Sequence, residues 1–135
     1  MLRARVSLPG VEGDDPNADV RALLGALVPI WARWLRVRPD FPLLYSAGVR
    51  YRPEVDTEDW LGPPEVLAQR WGDCEDLTLW RCAELLARGT DCHPICTGRR
   101  SPLGGLSQHV LVGYPDGSTE DPSLILMPKA ATLGR

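Results

Sequence analysis

The segment Trp71-Gly72-Asp73-Cys74-Glu75-Asp76, followed by an apolar run to Gly89, constrains this chain more than any other stretch. A glycine and a capping-type aspartate stand directly before a cysteine, so Cys74 falls in the first turn of a helix predicted over 73–88. Leu79, Cys82, Ala83 and Leu86 recur at spacings of three and four, while Arg81, Glu84 and Arg88 form a narrow polar stripe. A helix apolar over most of its circumference packs against a sheet and other elements. A helix N-terminus carries about half a positive charge and several unpaired N–H groups, so the position favours a thiolate at Cys74. Asp73 reads as the cap. Glu75 and Asp76 suit the helix dipole, but their charge partly opposes thiolate formation.

A length of 135 residues supports one core and one domain, 1–135, with an N-terminal arm and helix over 1–62 and the motif-bearing region over 63–123. The 15 basic and 18 acidic residues give a net charge of −3 without long runs of either sign, which excludes nucleic acid as an expected partner. The longest apolar stretch, 22–35, contains Gly25, Pro29 and Arg33, so no membrane span is expected. Residues 1–10 alternate and do not form a secretory apolar core. Four cysteines without such a leader point to reduced thiols and a cytoplasmic location.

Leu2, Ala4, Val6 and Leu8 alternate with polar residues, which predicts a short strand or extended arm. Asp15-Pro16 opens a helix whose apolar face runs Val20, Leu23, Leu24, Leu27, Trp31, Trp34 and Leu35, with a kink expected at Pro29. The aromatic residues on that face read as core packing. Residues 38–64 form a proline-rich connector with a short strand at 49–52, and Pro63-Pro64-Glu65 opens a short helix ending near Arg70. Strands follow at 92–98, 108–114 and 118–123, the last two joined by a turn at Pro115-Asp116-Gly117. Arg99-Arg100 reads as a solvated turn, and the glycine-rich stretch 101–107 as a loop leading into His109.

A three-residue loop at that turn pairs Tyr114 with Ser118 and sets Leu111 opposite Asp121. His109 and Asp121 then become diagonal neighbours on one sheet face, about 7–8 Å apart at Cα. A two-residue loop would slip the register by one. With Cys74 at the start of a helix packed on that sheet, its sulfur is expected to point toward His109. Thiol, imidazole and carboxylate in that arrangement suit nucleophile, base and orienting group.

Taken together, Gly72-Asp73-Cys74-Glu75-Asp76-Leu77, His109-Val110-Leu111-Val112 and Asp121-Pro122-Ser123 resemble the transglutaminase-like superfamily of papain-type cysteine enzymes, over about residues 63–123. The likeness is greatest to its small bacterial and phage-encoded members. The resemblance implies an α+β fold with a papain/transglutaminase-like core, in which a central nucleophile helix packs on an antiparallel sheet beside an N-terminal helical segment. It implies Cys74 as nucleophile, His109 as general base and acid, and Asp121 as orienting carboxylate, in a cysteine hydrolase that cleaves an amide or peptide bond through an acyl thioester. The implied substrate is a peptide or protein, with a peptidoglycan stem peptide or a small amide as alternatives, and hydrolysis is favoured over cross-linking. Phage encoding would add a virion-associated location. Gln69, Trp71 and Gln108 are candidate oxyanion donors beside the Cys74 N–H. No cofactor is required. The resemblance allows calcium at Asp73 and Glu75, although helix capping accounts for both residues.

Two other readings compete. The first is a non-catalytic assembly or interaction protein of the same fold, since folds outlive their chemistry. The second is a zinc-binding domain built on Cys92-His93-Pro94-Ile95-Cys96, but a strand there would hold Cys92 and Cys96 about 13 Å apart. Cys82, Cys92 and Cys96 are more simply small apolar packing residues.

Overall fold

The computed structural model describes residues 16–53, 60–100 and 106–128, with side chains over 18–53, 60–98 and 109–128. The strand or arm expected at 2–8 lies outside these residues. Within them the chain is a small mixed α+β domain of four helices and two small sheets.

Helix α1 (Pro16–Arg36) opens on its proline, as the Asp15-Pro16 pair predicts, and stays continuous through exposed Pro29. Its buried face is Leu24, Val28, Ala32 and Leu35, and it packs on α3 (Cys74–Ala87) and β3 (His93–Arg100). Trp31, Trp34, Phe41 and Trp80 form a chain of ring contacts at 5.5, 5.1 and 5.4 Å, so the aromatic stripe is packing. Trp31 also lies against Gly62, where a Cβ would stand 2.1 Å from its ring.

After a single 3-10 turn at Leu44–Ser46, β1 (Arg50–Tyr51) lies within the expected strand. Helix α2 (Pro63–Gln69) ends at Arg70 in the left-handed conformation (φ 72°), and β2 (Trp71–Gly72) then pairs in parallel with β1. The sequence predicts only a turn at 71–72, because two-residue strands carry no periodicity. Asp73 caps α3 with both halves of a capping box: its carboxylate accepts the Asp76 N–H, and Asp76 accepts the Asp73 N–H. Gly89, at φ +86°, follows the helix end as expected.

The second sheet has the order β3-β4-β5, antiparallel throughout, with β4 at Leu106–Gly113 and β5 at Thr119–Glu120. Two expectations are corrected here. Arg99 and Arg100 belong to β3, opposite Ser107 and Leu106, because the hairpin ladder extends beyond the apolar stretch from which the strand was read. The return strand ends at Glu120, because Pro122 has no N–H for a ladder and Asp121 instead caps α4 (Pro122–Ile125).

Helix α3 lies between two apolar clusters. Leu79 and Cys82 join Leu24, Val28, Val110 and Val112 on one side, while Leu77 and Trp80 join Leu44 and Val66 on the other. Each fully buried leucine or valine contributes about 1.5–3 kcal/mol, which explains why this helix has so narrow a polar stripe. The stripe itself is engaged. Arg81 pairs with Glu84 at 2.7 Å and Glu120 at 2.6 Å, and buried Glu84 accepts the Leu44 N–H at 2.9 Å. Among the described residues no helix is long and apolar enough to cross a membrane.

Candidate active site

Cys74 is the first residue of α3 and is 8% exposed. Its thiol donates to Glu75 Oε2 at 3.3 Å, and its sulfur takes a hydrogen bond from the Val110 N–H. That N–H belongs to the amide joining His109 to Val110, so the sulfur rests against the backbone of the predicted base. One helical turn along, the Thr78 hydroxyl donates to the Val110 carbonyl at 3.1 Å. Two side chains on one face of α3 thus hold both backbone groups of one β4 residue.

The thiolate expected at this helix start is corrected by its surroundings. Burial pushes the Cys74 thiol well above the ordinary thiol range, the charge of Glu75 pushes it further, and the Val110 N–H offsets only part of this. The helix dipole is a modest influence, and the desolvation of a buried thiolate outweighs it here. Cys74 is buried beside a carboxylate, so at rest it holds its proton.

His109 and Asp121 meet as the register predicts. The turn hydrogen bonds Tyr114 N–H to the Ser118 carbonyl at 2.9 Å, and Val112 pairs with Glu120, so Leu111 falls opposite Asp121. His109 Nε2 and Asp121 Oδ2 are 2.7 Å apart, with side-chain exposures of 40% and 28%. A carboxylate only accepts, so Nε2 carries the hydrogen and Nδ1 is left as the basic nitrogen. The other Asp121 oxygen accepts the Leu124 N–H at 3.3 Å, which lets one carboxylate cap α4 and orient the imidazole. Among the described residues no hydrogen bond joins Cys74 to His109; the contact between the two residues runs through the Val110 amide.

No family model, curated protein or solved structure matches this chain.

The candidate oxyanion donors divide. Gln69 Nε2 donates to the Trp71 carbonyl at 2.7 Å, which gives that side chain the task of holding β2. Trp71 lies beneath the Arg52 guanidinium at 5.2 Å. The Gln108 side chain lies outside the described residues. The Asp73 carboxylate and carbonyl take the N–H groups of Asp76 and Leu77, which leaves the Cys74 and Glu75 N–H groups at the open start of the helix, beside the sulfur.

Asp73 and Glu75, where the resemblance allows calcium, already engage carboxylate oxygens in local hydrogen bonds. One Asp73 oxygen accepts the Asp76 N–H, and one Glu75 oxygen accepts the Cys74 thiol, against the about six to eight oxygens that calcium takes. Among the described residues no three His, Cys, Asp or Glu side chains gather into a metal-holding group, and this includes the segment Cys92 to Cys96.

Two residues at the site escape sequence reasoning. Thr78 looks like an ordinary helix interior position, and only the β4 register reveals its partner. Tyr51 pairs with Gly72 and so stands beside the start of α3. Burial raises its phenol, and the charges of Asp73, Glu75 and Asp121 add to this, which places the ring among the site's acidic groups. An aromatic residue in a two-residue strand gives no signal of such a position.

Proposed function

We propose that this chain is a transglutaminase-like cysteine hydrolase that cleaves an amide or peptide bond. The observation that carries the reading is the His109–Asp121 pair at 2.7 Å, with His109 on β4 directly before the amide against which the Cys74 sulfur rests. Asp121 holds the hydrogen at Nε2, so Nδ1 is free to take a proton. The resting thiol is neutral, so deprotonation accompanies attack: His109 takes the Cys74 proton as sulfur bonds to the carbonyl carbon. The Cys74 and Glu75 N–H groups are the donors for the oxyanion, a contribution of about 3–4 kcal/mol per donor in comparable sites. Protonated His109 then gives its proton to the leaving amine, and water releases the acid from the thioester.

Turnover of a fluorogenic peptide-amide library and of peptidoglycan fragments tests the proposal, alongside labelling by a peptidyl electrophile. Cleavage and labelling are expected with the native chain and lost in Cys74→Ala and His109→Ala. Labelling of Cys74 at the rate of a denatured thiol, unchanged in His109→Ala, would count against it.

One observation favours a second reading. Cys74 is 8% exposed and burial raises its thiol, which suits a non-catalytic assembly protein of the same fold. That reading is supported by Cys74→Ala that folds and assembles normally while the native chain cleaves nothing in either panel.

A further inference from the structure

Cys82 and Cys92 meet where the middle of α3 passes the residue before β3. Cys92 Sγ donates to the Cys82 carbonyl at 3.6 Å, which seats the Cys92 sulfur against the backbone of Cys82. The two thiols differ in a useful way. Cys82 is completely buried, whereas Cys92 is partly exposed at the edge of the same apolar cluster. The hydrogen bond from Cys82 favours the thiolate of Cys92 and lowers it. The same hydrogen bond, together with burial, raises Cys82. This pairs a more acidic, reachable thiol with a sheltered one, as a reactive cysteine and its resolving partner require. Neither belongs to the Cys74 site: Cys82 is eight residues further along α3.

We propose that Cys82 and Cys92 form a reversible disulfide when the chain meets a hydroperoxide, tying the middle of α3 to the start of β3. The Cys92 thiolate attacks the terminal peroxide oxygen, forming an S–O bond and breaking the O–O bond. The departing alkoxide, or hydroxide from hydrogen peroxide itself, takes up the proton that Cys92 released. Cys82 sulfur then attacks the resulting sulfenic acid, forming the S–S bond as the S–O bond breaks. The hydroxide leaves with the Cys82 proton as water. Two thiols lose two electrons, and the hydroperoxide is reduced to alcohol and water. A dithiol reductant reverses the link by exchange.

The test is treatment of the full chain with equimolar hydrogen peroxide, alkylation of the remaining thiols after denaturation, and peptide mapping without reduction. A Cys82–Cys92 linked peptide is expected, lost after dithiothreitol, with Cys74 and Cys96 recovered alkylated. Cys92→Ser removes the linked peptide and Cys96→Ser retains it. Sulfinic acid at Cys92, a link from Cys92 to Cys74 or Cys96, or unchanged thiols throughout would each overturn the proposal. The map of the native chain is decisive without either variant.

Discussion

The Thr78 hydroxyl donates to the Val110 carbonyl while Cys74, one turn earlier on α3, receives the Val110 N–H, so a single β4 residue is held on both sides by one helix face. This contact fixes where α3 stands relative to His109. Thr78→Val keeps the side-chain shape but leaves the Val110 carbonyl without its partner in a fully buried position. The expected loss is about 1–3 kcal/mol, read as a lower urea midpoint. Thr78→Ser restores the donor and recovers most of that loss. A valine variant as stable as the native chain would mean that the contact contributes little.

Asp121 divides its oxygens between the Leu124 N–H and His109 Nε2, and this separates its two roles by experiment. Asparagine is as good a helix cap as aspartate, so Asp121→Asn leaves α4 and overall stability nearly unchanged. Its amide N–H, however, donates to Nε2 and forces the imidazole hydrogen onto Nδ1, the nitrogen that takes the thiol proton in the proposed reaction. Turnover of any substrate found in the library screen is expected to fall on the order of 10³–10⁴-fold, with thermal unfolding unmoved. Retained turnover in a folded Asp121→Asn chain would remove His109 from the role of base.

Much of this arrangement was legible in the chain. Asp73 as cap, α3 to Gly89, and the His109–Asp121 diagonal all follow from local signals: a capping residue, a 3.6-residue period, and a turn of fixed length. What was not legible depends on contacts between segments distant in sequence. Nothing near Arg50-Tyr51 or Trp71-Gly72 announces that they pair, since two residues show no alternation. The burial of Cys74, which with Glu75 outweighs the helix dipole, depends on packing that no local signal reveals. Asp121-Pro122 looked like strand because its neighbours were, but the proline ends the ladder and starts a helix.

Gly62 is required by close approach, not by its backbone angles. A Cβ there would lie 2.1 Å from the Trp31 ring, and that ring is fixed in turn by Trp34. Gly62→Ala therefore overpacks the junction of α1 with the start of α2, at a cost of about 1–3 kcal/mol. Gly25 supplies the control. It lies on the exposed face of α1 with nothing within 4 Å of its Cβ direction, so Gly25→Ala is expected to stabilise the chain by about 0.5–1 kcal/mol. Thermal melting of the two variants should move in opposite directions. Parallel shifts would show that the Trp31 contact is not the cause.

The Cys74 thiol offers a pH-dependent test with a definite sign. Burial first, then Glu75, raises it above the ordinary range, so the folded chain holds this proton more tightly than the unfolded chain. Its contribution to stability is complete below the unfolded thiol value and declines as pH rises above about 8.5 toward the folded value. Unfolding midpoints measured from pH 7 to pH 10 should fall less in Cys74→Ala than in the native chain. Glu75→Gln removes the neighbouring charge while keeping a hydrogen-bond acceptor, so iodoacetamide should modify Cys74 faster in that variant at any fixed pH from 7 to 9. Because burial is the larger influence, the acceleration should be partial, and the thiol should still react more slowly than in the urea-unfolded chain. Equal rates in the native and Glu75→Gln chains would leave burial alone as the cause of the raised thiol.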